Sequence, residues 1–224
     1  MKKIYLIGDS TCQNNDETTF PQTGWGQVFH KIVKDEYEVI NLAKNGRSTK
    51  SFIDEGLFKV VEENIKAGDY LFIQFGHNDE KDDPTRHTDP YTSYQDNLLY
   101  FINTARNNGA IPVLLSSIYR RHFDENGKIM ENVHLQYPKA CQELAKREKV
   151  IFIDMCELTK QSLIKIGDED SKRLFMYFEK EIYSNYPDGK KDNTHLRYEG
   201  AMWIIDILKT EIKKDNKLQK ILKD

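Results

Sequence analysis
Cysteine is scarce: Cys12, Cys141 and Cys156 are the only three among 224 residues. So few, and an odd number, cannot build a disulfide framework, and their spacing matches no zinc or iron–sulfur pattern. Cys141 falls on the apolar face of an expected helix and Cys156 follows an apolar strand, so both read as core fillers. No feature marks Cys12 as activated. Long hydrophobic runs are missing too. No window approaches the roughly 18 apolar residues of a membrane helix. The apolar run after Lys2-Lys3 is cut off by Gly8-Asp9-Ser10, too early for a secretory leader. The expectation is a cytoplasmic protein. Neither sign of charge dominates: 33 basic residues stand against 36 acidic ones, a net charge of −3. That balance leaves no electrostatic footprint for nucleic acid. Internal repeats, low-complexity tracts and linkers are absent, and the length suits one domain over residues 1–224.

What the chain does have is alternation. Short apolar runs at Lys3–Ile7, Tyr37–Leu42, Tyr70–Phe75, Ala110–Leu115 and Val150–Asp154 read as strands. Between them lie segments with helical spacing. One opens at Gly24-Trp25-Gly26 and runs to about Lys34; the next carries Ile53, Leu57, Val60, Val61 and Ile65. Others cover Tyr94–Ala105, Val133–Lys146 and Glu157–Ile166, and the last starts near Tyr198. Strands alternating with helices predict an α/β fold, three layers deep (α/β/α), around a five-stranded parallel sheet. Glu80–Pro90 and the polar stretch leading to Asp192 read as loops.

In a parallel sheet the strand ends share one edge, and ligands bind there. The first three strands run into small polar residues: Ser10, Gly46 and Asn78. A serine hydroxyl is a poor nucleophile until a base takes its proton. His195 is suited to that task, and Asp192, three residues earlier, can orient the imidazole if the backbone turns between them. The N–H groups of Ser10 and Gly46 and the Asn78 amide are suitable donors to an oxyanion. Each residue has a plainer reading. Gly8-Asp9-Ser10 is also an ordinary strand-ending turn, Asn78 an Asx-type turn, Asp192 a turn former and His195 a solvated loop histidine. Periodicity does not bring Asp192–His195 to the same edge. His77 reads equally as a substrate contact or a structural bond, and Trp25 as a sugar platform or as helix-start packing. Arg120, Arg121 and His122 either meet an acidic sugar or belong to a solvated loop. Asp9, His77, Asp79 and His195 match no metal-ligand motif, so no metal is expected.

Taken in order, Gly8-Asp9-Ser10, Gly46, Gly76-x-Asn78-Asp79 and Asp192-x-x-His195 resemble the four blocks of the SGNH (GDSL-like) hydrolases. Gly8-Asp9-Ser10-Thr11, Gly24-Trp25-Gly26, Asn45-Gly46-Arg47-Ser48, Phe75-Gly76-His77-Asn78-Asp79 and Asp192-Asn193-Thr194-His195 look like the versions found in the rhamnogalacturonan acetylesterase branch. The stretch Arg120–Gly127 resembles bacterial members of that branch. The resemblance implies a flavodoxin-like sheet, with Ser10 as nucleophile, His195 as base and Asp192 as orienting acid. It also implies an oxyanion hole of Ser10, Gly46 and Asn78. The implied activity is removal of acetyl groups from sugar hydroxyls through an acetyl-enzyme, without a metal or cofactor. The expected partner is an acetylated oligosaccharide, with no nucleic acid and no membrane; His77, Arg120 and His122 are the candidate substrate contacts. Two other readings stay open: an esterase for acetyl-xylan, a lipid ester or a thioester, and a non-catalytic carbohydrate-binding protein. Oligomeric state is not addressed by the sequence.

Overall fold
The structure, a computed structural model, describes residues 1–223. In chain order it comprises β1 (Lys2–Gly8), α1 (Trp25–Val28), β2 (Tyr37–Asn41), α2 (Thr49–Asp54), α3 (Lys59–Asn64), β3 (Tyr70–Gln74) and α4 (Ser93–Asn107). There follow β4 (Ile111–Leu115), α5 (Tyr137–Glu148), β5 (Ile151–Ile153), α6 (Met155–Ile166), α7 (Asp168–Ser171), β6 (Phe175–Phe178), β7 (Lys190–Leu196) and α8 (Tyr198–Ile212). The first five strands form one parallel sheet in the order β2-β1-β3-β4-β5. This is the expected flavodoxin-like arrangement, in which ligands gather where the strand order reverses, between β1 and β3.

The sheet separates two apolar layers. Ile4 and Leu6 of β1, with Phe72 of β3, pack toward α1, α6 and α8. Tyr5 and Ile7, with Leu71 and Ile73, pack toward α2 to α5. Burial on both faces explains why these strands read as continuous apolar runs rather than alternating ones. Helix α4 shows the matching period: Tyr94, Leu98, Phe101, Ile102 and Ala105 form its buried face. Cys12, Cys141 and Cys156 are all buried free thiols. Among the described residues no helix is long and apolar enough to cross a membrane.

Several boundaries differ from expectation. The helix opening at Trp25 lasts only to Val28 and tightens into a 3-10 turn over Phe29–Lys31. The segment from Ile53 to Ile65 is two short helices, α2 and α3, separated at Gly56, which has φ of +70°. The helix expected from Val133 starts at Tyr137, with Pro138 in its first turn, where a missing N–H leaves no bond unmade. The largest difference lies before His195. Instead of a loop, Asp192–His195 belong to β7, which pairs antiparallel with β6 outside the main sheet.

Candidate active site
Site geometry begins at the end of β1. A Cβ on Gly8 would stand 2.6 Å from the Gln74 carbonyl oxygen of β3, so only glycine lets the two strand ends approach this closely. The chain then turns: the N–H groups of Cys12 and Gln13 both donate to the Asp9 carbonyl, at 3.2 and 3.1 Å. Ser10 opens that turn, and its own N–H has no acceptor among the described residues. Asp9 points inward. Its Oδ1 accepts from the Thr11 N–H and hydroxyl at 2.9 and 2.8 Å, and its Oδ2 pairs with His77 Nδ1 at 2.9 Å. Burial pushes the Asp9 carboxyl up, but the His77 ring and the Thr11 donors outweigh it and hold it below the usual range.

The second and third loops lie alongside. Lys44 N–H donates to the Gly8 carbonyl at 3.0 Å, and Asn45 N–H to the Gln13 side chain. Gly46 follows with φ of +75°, a conformation that a side chain resists. Its N–H, like that of Ser10, has no acceptor among the described residues. Asn78 donates one amide hydrogen to the Arg47 carbonyl at 3.1 Å and accepts from Arg86 at 3.4 Å. Those partners fix the amide's orientation and leave its second hydrogen available. Asp79, fully buried, secures this loop to the start of α2 by accepting from the Thr49 hydroxyl at 2.5 Å, the Thr49 N–H at 3.1 Å and the Thr88 hydroxyl at 3.0 Å. Burial nevertheless pushes its carboxyl up to about 7.

His195 Nε2 lies 2.9 Å from Ser10 Oγ, and its Nδ1 lies 2.7 Å from Asp192 Oδ2. Asp192 Oδ1 also accepts from the Thr194 and His195 N–H groups, at 2.8 and 3.0 Å. This is the backbone turn that three-residue spacing required. It is made inside a strand: β6 pairs Phe175 with Leu196 and Tyr177 with Lys191, so residues 192 to 195 bulge out opposite Met176 alone. A bulge re-aims side chains, and here it turns two of them toward the sheet edge. Burial raises the Asp192 carboxyl, yet its bonds and charge attraction to His195 hold it well below the ordinary range. The arrangement links a hydroxyl, an imidazole and an ionised carboxylate in series.

The expected substrate contacts fare differently. His77 is buried, and both its nitrogens are engaged, with Asp9 and with the Ile118 carbonyl at 3.0 Å. It links the Asn78 loop to the Asp9 turn and to the Ile118 carbonyl. Arg120 is likewise directed inward, to Glu80 at 2.7 Å, the His77 carbonyl at 3.2 Å and the Thr194 hydroxyl at 3.0 Å. His122 is half-buried, makes no side-chain hydrogen bond among the described residues, and burial lowers its pKa. Trp25 is core, donating to Gln74 at 2.7 Å. Beside Gly46 lies a groove of about 600 Å³, edged by Arg47, Lys50, Asp54, Pro84, Thr85 and Arg86. Among the described residues no group of three or more His, Cys, Asp or Glu side chains is arranged to hold a metal ion.

The chain resembles known proteins over most of its length. A family model described as the GDSL-like lipase/acylhydrolase family matches residues 6–201. Rhamnogalacturonan acetylesterase RhgT of Bacillus subtilis is 45% identical over 211 residues, covering 93% of this chain and 89% of that protein. The probable rhamnogalacturonan acetylesterase YesY of the same organism is 37% identical over 199 residues, covering 88% and 86% respectively. The crystal structure of Bacillus subtilis YxiM superposes with a TM-score of 0.80 at 25% identity, covering 95% of this chain and 56% of that longer one. The chain therefore belongs to the GDSL-like lipase/acylhydrolase family, on its rhamnogalacturonan acetylesterase-like side.

Proposed function
We propose that this protein is a single-domain serine esterase that removes O-acetyl groups from carbohydrate, with pectic rhamnogalacturonan oligosaccharides as its substrate. The observation that carries the proposal is the series Ser10–His195–Asp192, with contacts of 2.9 and 2.7 Å beside two N–H groups that have no acceptor among the described residues. Ser10 Oγ attacks the acetyl carbonyl as His195 Nε2 takes its proton. Asp192 keeps the imidazole in the tautomer that accepts at Nε2 and stabilises the cation that forms. The carbonyl oxygen becomes an oxyanion and receives hydrogen bonds from the Ser10 and Gly46 N–H groups and Asn78 Nδ2. Collapse breaks the bond to the sugar oxygen, which takes the proton from His195. Water, activated by the same imidazole, then attacks the acetyl-Ser10 ester and releases acetate.

The groove beside Gly46 is edged by charged side chains and Thr85, which can hydrogen-bond a polyhydroxylated chain. It holds Arg47, Lys50 and Arg86 beside Asp54 and Glu55, with Arg47 paired to Glu55 at 2.8 Å, so its charge is mixed. The relatives named as rhamnogalacturonan acetylesterases support the same class. The test is acetate release from acetylated rhamnogalacturonan oligosaccharides, with acetylated xylo-oligosaccharides in parallel and Ser10→Ala as control. Release from the pectic fragments is the expected result. Release only from xylan fragments would keep the chemistry and overturn the substrate. Saturable binding without turnover on any ester would reduce the protein to a carbohydrate-binding one.

A further inference from the structure
Two consecutive arginines grip the two residues between the proposed acid and base. Arg120 Nη1 donates to the Thr194 hydroxyl at 3.0 Å, while its Nη2 reaches back to Glu80 and the His77 carbonyl. Arg121 takes the other residue. Its N–H donates to the Asn193 carbonyl at 2.8 Å, and its Nη1 to Asn193 Oδ1 at 2.7 Å. Its Nη2 is anchored on Asp168 at 2.5 Å, and its guanidinium lies over the rings of Phe123 and Tyr177. The Arg120 and Arg121 side chains are 13% and 4% exposed, and Arg121 Nε has no partner among the described residues. Burying a guanidinium is unfavourable unless its bonds return the desolvation penalty, and an apolar side chain would fill the space without it. A second pair of contacts makes the arrangement specific. Glu80 also accepts from His134 Nδ1, and His134 Nε2 in turn accepts the Arg120 N–H. The residues on which Arg120 pulls are thus fixed from a second direction.

We infer that Arg120 and Arg121 are positioning residues that hold the Asn193–Thr194 bulge, and so keep Asp192 and His195 in register with Ser10. This rests on the serine-esterase reading above. The bulge has no ladder partner along its length except Met176, so β6 cannot supply this restraint. Arg120 additionally ties the bulge to the loop that carries Asn78, coupling the base to the oxyanion donor across the edge of the sheet. Neither arginine touches the reacting atoms.

The test uses 4-nitrophenyl acetate, an ester too small to reach a sugar subsite, with Arg120→Met, Arg120→Lys, Thr194→Val and the double variant Arg120→Met/Thr194→Val. The expected result is a fall in kcat of about ten- to a hundredfold, as for a displaced catalytic group, with KM little changed. The double variant is expected to be no worse than the poorer single one, because both remove the same restraint. Arg120→Lys should recover only part of the loss, since an ammonium cannot reproduce the fork. The acid limb of the kcat/KM profile should also move in these variants. Unchanged kcat and pH profile in variants with wild-type circular dichroism would overturn the inference. A rise in KM confined to acetylated oligosaccharides would overturn it too, making Arg120 a substrate contact. Arg121→Met is expected to lose more; if it does not fold, Asn193→Ala tests that half of the clamp. Ser10→Ala separates the two failures: turnover in that variant sinks the esterase reading itself, whereas a dead Ser10→Ala beside fully active clamp variants sinks only the clamp.

Discussion
Asp9 and His77 pair at 2.9 Å with both side chains closed to solvent, and Ser10 is the residue next to Asp9. The partners of the two His77 nitrogens are both oxygen acceptors, so a ring that satisfies both donates at each end. His77→Leu leaves the Asp9 carboxylate buried without its counterpart. The expected loss is about 3–5 kcal/mol of stability. Urea denaturation measures it, and an unchanged midpoint would contradict the pair. The Asp9 pKa is depressed on folding, so its contribution is present above the ordinary carboxylate range and fades as pH falls through the depressed value. The His77→Leu protein should therefore show a shallower acid-side decline than the parent.

Removing Ser10 or His195 as Ala should lower ester turnover by about 10⁴-fold or more while leaving the fold intact. Asp192→Asn keeps the shape but presents the wrong partner to the imidazole, and a comparable loss is expected. In the intact protein, turnover falls on the acid side as the imidazole takes a proton from solvent and can no longer accept one from Ser10. Asp192 stays ionised well below that range, so its own protonation does not contribute to the limb. A rate profile that stays flat on the acid side would contradict this.

Asn78→Ala removes one proposed donor to the oxyanion and also the bond to the Arg47 carbonyl. Its expected effect is a drop of about 10²–10³ in kcat, with KM for a small aryl acetate near the parent value. A large KM effect with kcat preserved would instead assign Asn78 to substrate binding.

Asp79 offers a stability test with the opposite sign to Asp9. Burial raises its pKa to about 7, so the folded state holds its proton more tightly than the unfolded chain. The associated stability is present below the unfolded value of about 4 and is lost as pH rises through about 7. Linkage bounds the effect at about 4 kcal/mol. Denaturation midpoints of the parent should fall between pH 4 and 7 through this group, and Asp79→Asn should remove that slope. A parent and variant with parallel profiles would show that the Thr49 and Thr88 donors keep Asp79 charged throughout.

Much of this was legible from residue pattern. The strands of the main sheet are buried on both faces, so Ile4–Ile7 and Tyr70–Phe75 announce themselves as unbroken apolar runs. Ser10, Gly46 and Asn78 lie where a parallel sheet must bring its strand ends together. The β6–β7 hairpin was not read, although Leu174-Phe175-Met176-Tyr177-Phe178 is an apolar run of strand length. Its partner β7 is polar through Lys190–His195, and its bulge turns Asp192 and His195 toward Ser10. Alternation therefore fails where function intervenes. Arg120 and Arg121 look like a solvated charged loop for a related reason. Their partners, Glu80, Asp168, Asn193 and Thr194, lie at least 40 positions away, and no local pattern encodes such contacts.

The hydroxyl and the imidazole that meet at 2.9 Å are separated by 185 positions in the chain. Nearly the whole polypeptide is a closed loop between them, and contacts of that span are slow to form because the entropy of closure comes before any reward. Catalysis is thus a late reporter of assembly. During synthesis, β1 and its turn emerge first and wait, inert, until the bulged strand has been made. On refolding from denaturant, sheet and helix signals should return before ester turnover does. A chain ending anywhere short of residue 195 would carry the proposed nucleophile without the proposed base.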